Sequence, residues 1–448
     1  MRGNSNKGSA GEPMSVVDTA WLRMDSTENL MVINSLFLFE EHFSRERFVA
    51  LIKERLLSIP RFRMRSAIRG KHYCWEEPPE FDADYHITPV QLPETENAVA
   101  EEAALRDFVS GLISTPLDPQ HPLWRYYHVD HYKGGTAVVL RIHHSYADGL
   151  ALMAVLDAVA DKSVMHSSPA ARAGAGPVAN SSNVVVRALQ SALVGVGFGL
   201  GWLYEATRIL FLSSDTRTAF KRPLTTQKQV AWAPSLNMDE VKQVGKAMGC
   251  TINDVLLGCV AGSMRQNLIK QGDSVDGVVI RAMVPFNLRP LSEAMELGNR
   301  FGLVFLDLPV GVADSIQQVK RVRQSMLKLK NGIQAMMSYN VLAILGVFSP
   351  AIERFALNFF SHKASAVMTN VPGPAEPVMM SGTKLVKPMF WVPQSGEIGM
   401  GVSILSYDNK VEFGLIADTA LVENPQDVVE GFIDQYEQLK ARVLTKGA

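Results

Sequence analysis

Residues 136–149 read TAVVLRI-HHSYADG. Seven mainly β-branched and aliphatic residues lead into His143, His144, Ser145, Tyr146, Ala147, Asp148 and Gly149. The first seven predict a buried strand, and the apolar residues 150–159 that follow predict a helix. Two imidazoles and a carboxylate therefore sit at a strand-to-helix junction. A neutral imidazole near pH 7 accepts a proton from a hydroxyl and returns it to a leaving group. Adjacent side chains on an extended chain point to opposite sides, so one histidine faces the reaction and the other packs. Asp148 either orients the base or pairs with a cation to hold the turn. Gly149 permits a close backbone approach or a positive φ. Adjacent histidines seldom chelate one ion and the sequence suggests no third ligand nearby, so no metal is expected.

Outward from this point, residues 29–40 predict a strand and 44–57 a helix with Ser44 as N-cap. Short basic and aromatic strands follow at 60–76, a second helix at 98–115 and a strand at 124–132. Residues 1–13, rich in Gly, Ser and Asn, lack the apolar core of a signal peptide and read as a flexible tail. Residues 162–182 are rich in Ser, Ala, Gly and Pro and read as a solvated linker or a partly disordered loop. Residues 188–204 carry no charge, but several glycines and the immediate Glu205 and Arg208 favour a core, pocket-lining or membrane-surface helix over a spanning one. A second region opens near 230, with helices at 239–248 and 251–271 and strands at 278–284, 303–308, 364–369, 400–406 and 411–417. This alternation predicts an α/β protein of two domains, 14–162 and 230–448, joined by 163–229.

The net charge of −1 over 448 residues gives no electrostatic reason to expect nucleic acid. Cys74, Cys250 and Cys259 are too few and too scattered for a disulfide framework or a zinc site, which suits a reducing cytosolic setting. The chain has no Gly-x-Ser-x-Gly elbow, and no Walker A or Rossmann glycine pattern stands out. With no obvious nucleophile, the base activates a substrate hydroxyl directly. The matching reaction is acyl transfer in a ternary complex without an acyl-enzyme.

The HHSYADG segment resembles the signature of the coenzyme-A-dependent acyltransferase superfamily, which includes chloramphenicol acetyltransferase, carnitine acyltransferases and peptide-synthetase condensation domains. Further segments are similar to the wax ester synthase/diacylglycerol acyltransferase family. They are residues 15–40, HPLWRYYHVD (121–130), TINDVLL (251–257), VPFNLRP (284–290), GNRFG (298–302), TNVPGP (369–374) and SYDNKVEFGLIAD (406–418). The resemblance runs in order from about residue 14 to 435. It implies two chloramphenicol-acetyltransferase-like domains, each a mixed sheet flanked by helices, with the active site in a tunnel at their interface.

The resemblance implies esterification of a long-chain alcohol or a diacylglycerol with a fatty acyl group from acyl-CoA. His144 becomes the general base and His143 its support. Asp148 becomes structural, paired with Arg289 of the other half. Asn253, Thr369 and Asn370 are candidates for the oxyanion donor or its shell, and Asp254 either joins that shell or stabilises a helix start. Tyr146 is placed to shape acceptor specificity. No cofactor is implied beyond acyl-CoA as co-substrate. Residues 188–211 and 339–360 are candidates for lining a lipid pocket or attaching to a membrane or lipid-inclusion surface. Residues 319–330, basic and amphipathic, read as a solvated helix face, with CoA phosphates or anionic lipid as the alternative. Two other readings share this pattern: the same fold acting on a different lipid or polyketide alcohol, and a non-catalytic lipid-binding relative.

Overall fold

The computed structural model describes residues 11–70, 72–78, 80–147, 149–163, 207–208, 211–287, 301–329 and 357–445. Asp148, Arg289, the apolar stretch 188–204 and most of 339–360 lie outside the described residues.

The first half opens with β1 (Glu12–Pro13), α1 (Val16–Arg23), β2 (Val32–Phe39), α2 (Arg45–Glu54), β3 (Arg65–Arg69) and β4 (His72–Glu76). Then come α3 (Ala83–His86), β5 (Ile87–Val90), α4 (Ala98–Ile113), β6 (Trp124–Tyr132), β7 (Gly135–His143) and α5 (Gly149–Val159). Ser44 caps α2 by accepting from Arg47 N, as its sequence position suggests. The tail expectation needs one correction: Glu12 and Pro13 pair with Trp75 and Cys74 of β4 and close a small three-stranded sheet.

The second half contributes β8 (Lys228–Trp232), β9 (Leu236–Asn237), α6 (Met238–Met248), α7 (Ile252–Lys270), β10 (Ile280–Asn287), β11 (Phe301–Leu308) and α8 (Ser315–Leu329). It ends with β12 (Ala366–Pro372), β13 (Met379–Met380), β14 (Thr383–Trp391), β15 (Met400–Tyr407), β16 (Lys410–Asp418) and α9 (Pro425–Leu444). Its sheet runs β11-β10-β12-β15-β16-β8, with β9 also on β16, and mixes parallel and antiparallel pairs. Helices α7 and α9 belong to its core: Val255, Val260, Met264, Phe432 and Tyr436 pack with Phe413 and Leu415 of the sheet.

The other large sheet runs β13-β14-β2-β7-β6-β5. Two of its six strands therefore come from the second half of the chain, and the boundary drawn at 162/230 is not a boundary in space. The physical reason is the exposed ladder of β2, which β14 satisfies by antiparallel pairing from Leu385↔Phe39 to Trp391↔Asn34. β14 also lies close against β16: a Cβ on Gly414 would sit 2.6 Å from Met389 Cε and 3.0 Å from Trp391 Nε1. The seam contains Leu36, Tyr127, Val139, Trp232, Trp391 and Ile416 in one apolar cluster drawn from both halves. An ion pair between partly buried Lys387 and fully buried Glu412, 3.3 Å apart, crosses it, and Lys387 also donates to Ala233 O at 2.6 Å.

Candidate active site

The last residue of β7 delivers the histidine turn. His143 N donates to Leu123 O at 2.9 Å, and His144 N donates to Met31 O at 2.7 Å, so the turn is pinned from both sides. Tyr146 N closes it by donating to His143 O at 3.0 Å. Gly149 begins α5.

The two histidines divide as strand geometry requires. His143 is 1% exposed and His144 retains 8%, so His144 is the more accessible of the two. His143 Nδ1 lies 3.1 Å from Ser145 N, which donates to it, and 2.9 Å from Ser145 Oγ. A backbone donor at Nδ1 fixes that nitrogen as acceptor and puts the proton on Nε2. Nε2 faces Asp25 Oδ2 at 3.3 Å, a close electrostatic contact off the angle of a hydrogen bond. The other oxygen of Asp25 accepts from Met31 N at 2.5 Å. Asp25 thus braces His143 directly and His144 through the Met31 peptide.

His144 stacks on Trp21 of α1, with ring centroids 4.0 Å apart and planes 13° from parallel. The indole face holds the orientation of the His144 ring. Neither Trp21 nor Asp25 stood out in the sequence as a site residue. Both lie in the segment 15–40 whose pattern carries the resemblance, but an isolated Trp on a helix carries no mark of what it will stack against.

Tyr146 corrects an expectation. It does not line a substrate path. Its ring is 1% exposed and packs against Trp75 at 4.8 Å and Phe62 at 6.1 Å. Its hydroxyl donates to Met64 O at 2.6 Å and accepts from Leu123 N at 2.9 Å. The bulk beside the base anchors the turn to the core.

On the second half, Asn370 Nδ2 donates to Asn253 Oδ1 at 2.6 Å and ties β12 to the start of α7. Thr369 is buried in β12 opposite Ser403 of β15. Asp254 forms a reciprocal cap with Thr251: Asp254 N donates to Thr251 Oγ1 at 3.2 Å, and Thr251 N to Asp254 Oδ2 at 2.8 Å. Its place is the helix start.

Two cavities adjoin these elements. A narrow apolar one of about 50 Å³ lies where the two halves meet, lined by Leu140, Leu152, Met153, Val371, Met389 and Leu405 among others. Its wall includes the helix that leaves the histidine turn and the residue after Asn370. A wider, polar one of about 500 Å³ is lined by Arg23, Asp25, Glu28, Lys221, Arg222 and Glu397 among others. Asp25 is shared between this wall and His143. Along α8, Val319 and Val322 are buried while Lys320, Arg321 and Arg323 face outward.

A histidine turn at the end of one mixed sheet, beside the seam with a second, defines a two-domain transferase fold shared with solved structures. The wax ester synthase/diacylglycerol acyltransferase of Marinobacter aquaeolei VT8 matches with a TM-score of 0.69 at 19% identity, covering 96% of this chain and 99% of that one. The first condensation domain of the calcium-dependent antibiotic synthetase matches at 0.62 and 13%, covering 97% of each. The family model described as the wax ester synthase/diacylglycerol acyltransferase catalytic domain matches residues 14–256, and that for the C-terminal domain matches 297–440. The chain belongs to this family and is an O-acyltransferase. Similar curated proteins include a probable diacylglycerol O-acyltransferase of Mycobacterium tuberculosis, 24% identical over 96% of each chain. The O-acyltransferase WSD of Acinetobacter baylyi is 25% identical over 96% of this chain and 99% of its own.

Proposed function

We propose that the enzyme transfers a fatty acyl group from acyl-CoA to the hydroxyl of a long-chain alcohol or diacylglycerol, with His144 as general base. The observation that carries this reading is the pair of unequal imidazoles: His143 locked in one tautomer, His144 more accessible and stacked on Trp21. His144 Nδ1 is inaccessible, so the reacting nitrogen is Nε2. It takes the hydroxyl proton as the oxygen attacks the thioester carbonyl. The tetrahedral oxyanion then collapses, the C–S bond breaks, and the CoA thiolate takes the proton back from the imidazolium. Donors for the oxyanion come from the second half, where Asn253 and Asn370 are joined beside the apolar cavity. The apolar lining of that cavity suits part of a hydrocarbon chain, its volume of about 50 Å³ being too small for the whole of one. The reaction calls for no cofactor, acyl-CoA being a co-substrate.

The enzyme works in the cytoplasm, attached peripherally to a membrane or lipid inclusion. The uncharged stretch 188–204 and the 82% exposed Phe211 that follows it support a surface contact. No single helix among the described residues is long and apolar enough to cross a bilayer; the bent pair α6–α7, at 93°, passes only jointly, and α7 is core.

The test offers one acyl-CoA to competing hexadecanol and dioleoylglycerol and resolves the products by thin-layer chromatography alongside thiol release. Ester and free CoA should form one to one. CoA release without ester, or no release with either acceptor, would refute the reading.

A further inference from the structure

At the opposite end of the same sheet, four side chains converge that the acyl transfer does not use. Strand β2 leaves the sheet at Phe39, and His42 follows it. Strand β6 brings His128, Asp130 and His131. Residues 128 and 130 share a face of the strand, whereas 131 would ordinarily point away. The register of β6 against β7 shifts between Val129 and Tyr132. A bulge of this kind re-aims a side chain, and here Asp130 and His131 are both exposed.

Ligand atoms of His42, Asp130 and His131 all lie within 4.8 Å of one another. His42 Nε2 is 2.9 Å from Asp130 Oδ1, His131 Nε2 is 3.6 Å from Asp130 Oδ2, and the rings of His42 and His131 stack at 4.6 Å. The independent observation is His128. It is 1% exposed and its Nε2 lies 3.1 Å from Phe43 O. A carbonyl only accepts, so Nε2 carries the proton and Nδ1 presents a lone pair. That Nδ1 is buried, has no hydrogen-bond partner among the described residues, and stands 4.0 Å from Asp130 Oδ1. One ring nitrogen donating to a backbone carbonyl while the other turns its lone pair to a cluster is the arrangement of a metal-ligating histidine.

We propose that His42, His128, Asp130 and His131 form a site for a divalent transition-metal ion of the zinc type. Three imidazoles and one carboxylate make a tetrahedral donor set once the three exposed side chains, mutually within 4.8 Å, move onto His128 Nδ1, which lies 4.0 Å from Asp130 Oδ1 and outside that group. Bonds of about 2.0–2.1 Å place tetrahedral ligand atoms about 3.3 Å apart, so the exposed side chains must draw in toward the fixed, buried His128 and the two stacked rings splay. The ion replaces the His42–Asp130 hydrogen bond. Val32 pairs with His143 and Phe39 with Thr136, so the site lies roughly 25 Å along the strand from the histidine turn. Its role is to staple the segment after β2 to the end of β6.

The experiment titrates zinc alone into the full chain, free of any affinity tag, by calorimetry, and records the visible spectrum of the cobalt(II) form. One zinc should bind per chain and raise Tm, and cobalt should show a tetrahedral spectrum. His42→Ala/His131→Ala, both at exposed positions, should weaken zinc binding more than tenfold and abolish the Tm rise, while His144→Ala should bind as the parent does. Three results would overturn the site: no binding by the parent at 100-fold excess over protein, unchanged binding by the double variant, or binding lost with His144→Ala. An octahedral cobalt spectrum would overturn the four-ligand set.

Discussion

Replacing Tyr146 by phenylalanine removes one oxygen atom and leaves the ring that packs on Trp75 and Phe62. That oxygen serves two backbone groups, donating to Met64 O and accepting from Leu123 N. Without it, the buried Leu123 N–H and the part-buried Met64 carbonyl lose a partner, each at a cost of about 1–3 kcal/mol, with the carbonyl at the low end because it is partly solvated and keeps a second lone pair. The expected destabilisation is about 2–4 kcal/mol. The loss reaches the catalytic turn, because Leu123 O also accepts from His143 N at 2.9 Å. Guanidinium unfolding reads the stability change, and competition among alcohols of different chain length reads acceptor preference. The variant should unfold at lower denaturant and keep the parent's acceptor preference. Unchanged stability with a shifted preference would show that Tyr146 faces the acceptor and would refute the anchoring argument.

Two further predictions follow from the same geometry. Asp25→Asn keeps an acceptor for Met31 N but turns an amide N–H toward the protonated Nε2 of His143; kcat should fall about tenfold or more, the equivalent of one lost charged contact, with KM for acyl-CoA unchanged and activity partly restored in Asp25→Glu. A KM effect alone would place Asp25 in substrate binding. Burial pushes the His86 imidazole down to about 4 while its Nδ1 donates to Trp124 O at 2.8 Å. Because the folded value lies below the unfolded one, stability is full above pH 6.5. It declines as pH falls toward 4, by about 3 kcal/mol in total. His86→Phe should flatten that part of the pH–stability curve, and equal slopes in parent and variant would dismiss the assignment.

The elements legible in the sequence are those with a clean local signal. The strand before the histidines, the Ser44 cap and the helix after Thr251 all follow from period and capping chemistry. β14 does not, because Pro388 interrupts its pattern and a proline usually argues against a strand. It is tolerated next to a register shift between Leu385 and Lys387, and only the unpaired ladder of β2 calls it into that sheet. That His143 and His144 meet different surroundings was readable because strand geometry imposes it. Trp21, Asp25 and the inward turn of Tyr146 were not, since each depends on a partner remote in sequence. Similarly, His42 stands 86 residues from His128, a spacing that matches no ligand motif, and a bulge invisible in composition completes the cluster.

The most direct test of the catalytic account is CoA release by His144→Ala with palmitoyl-CoA and hexadecanol, set against the parent. Loss of a general base costs about 10²–10⁴-fold, so turnover should fall by at least 100-fold while the far-ultraviolet dichroism and unfolding midpoint stay near the parent's. Parental turnover in a folded His144→Ala enzyme would contradict the account, and would move the proton transfer to another residue.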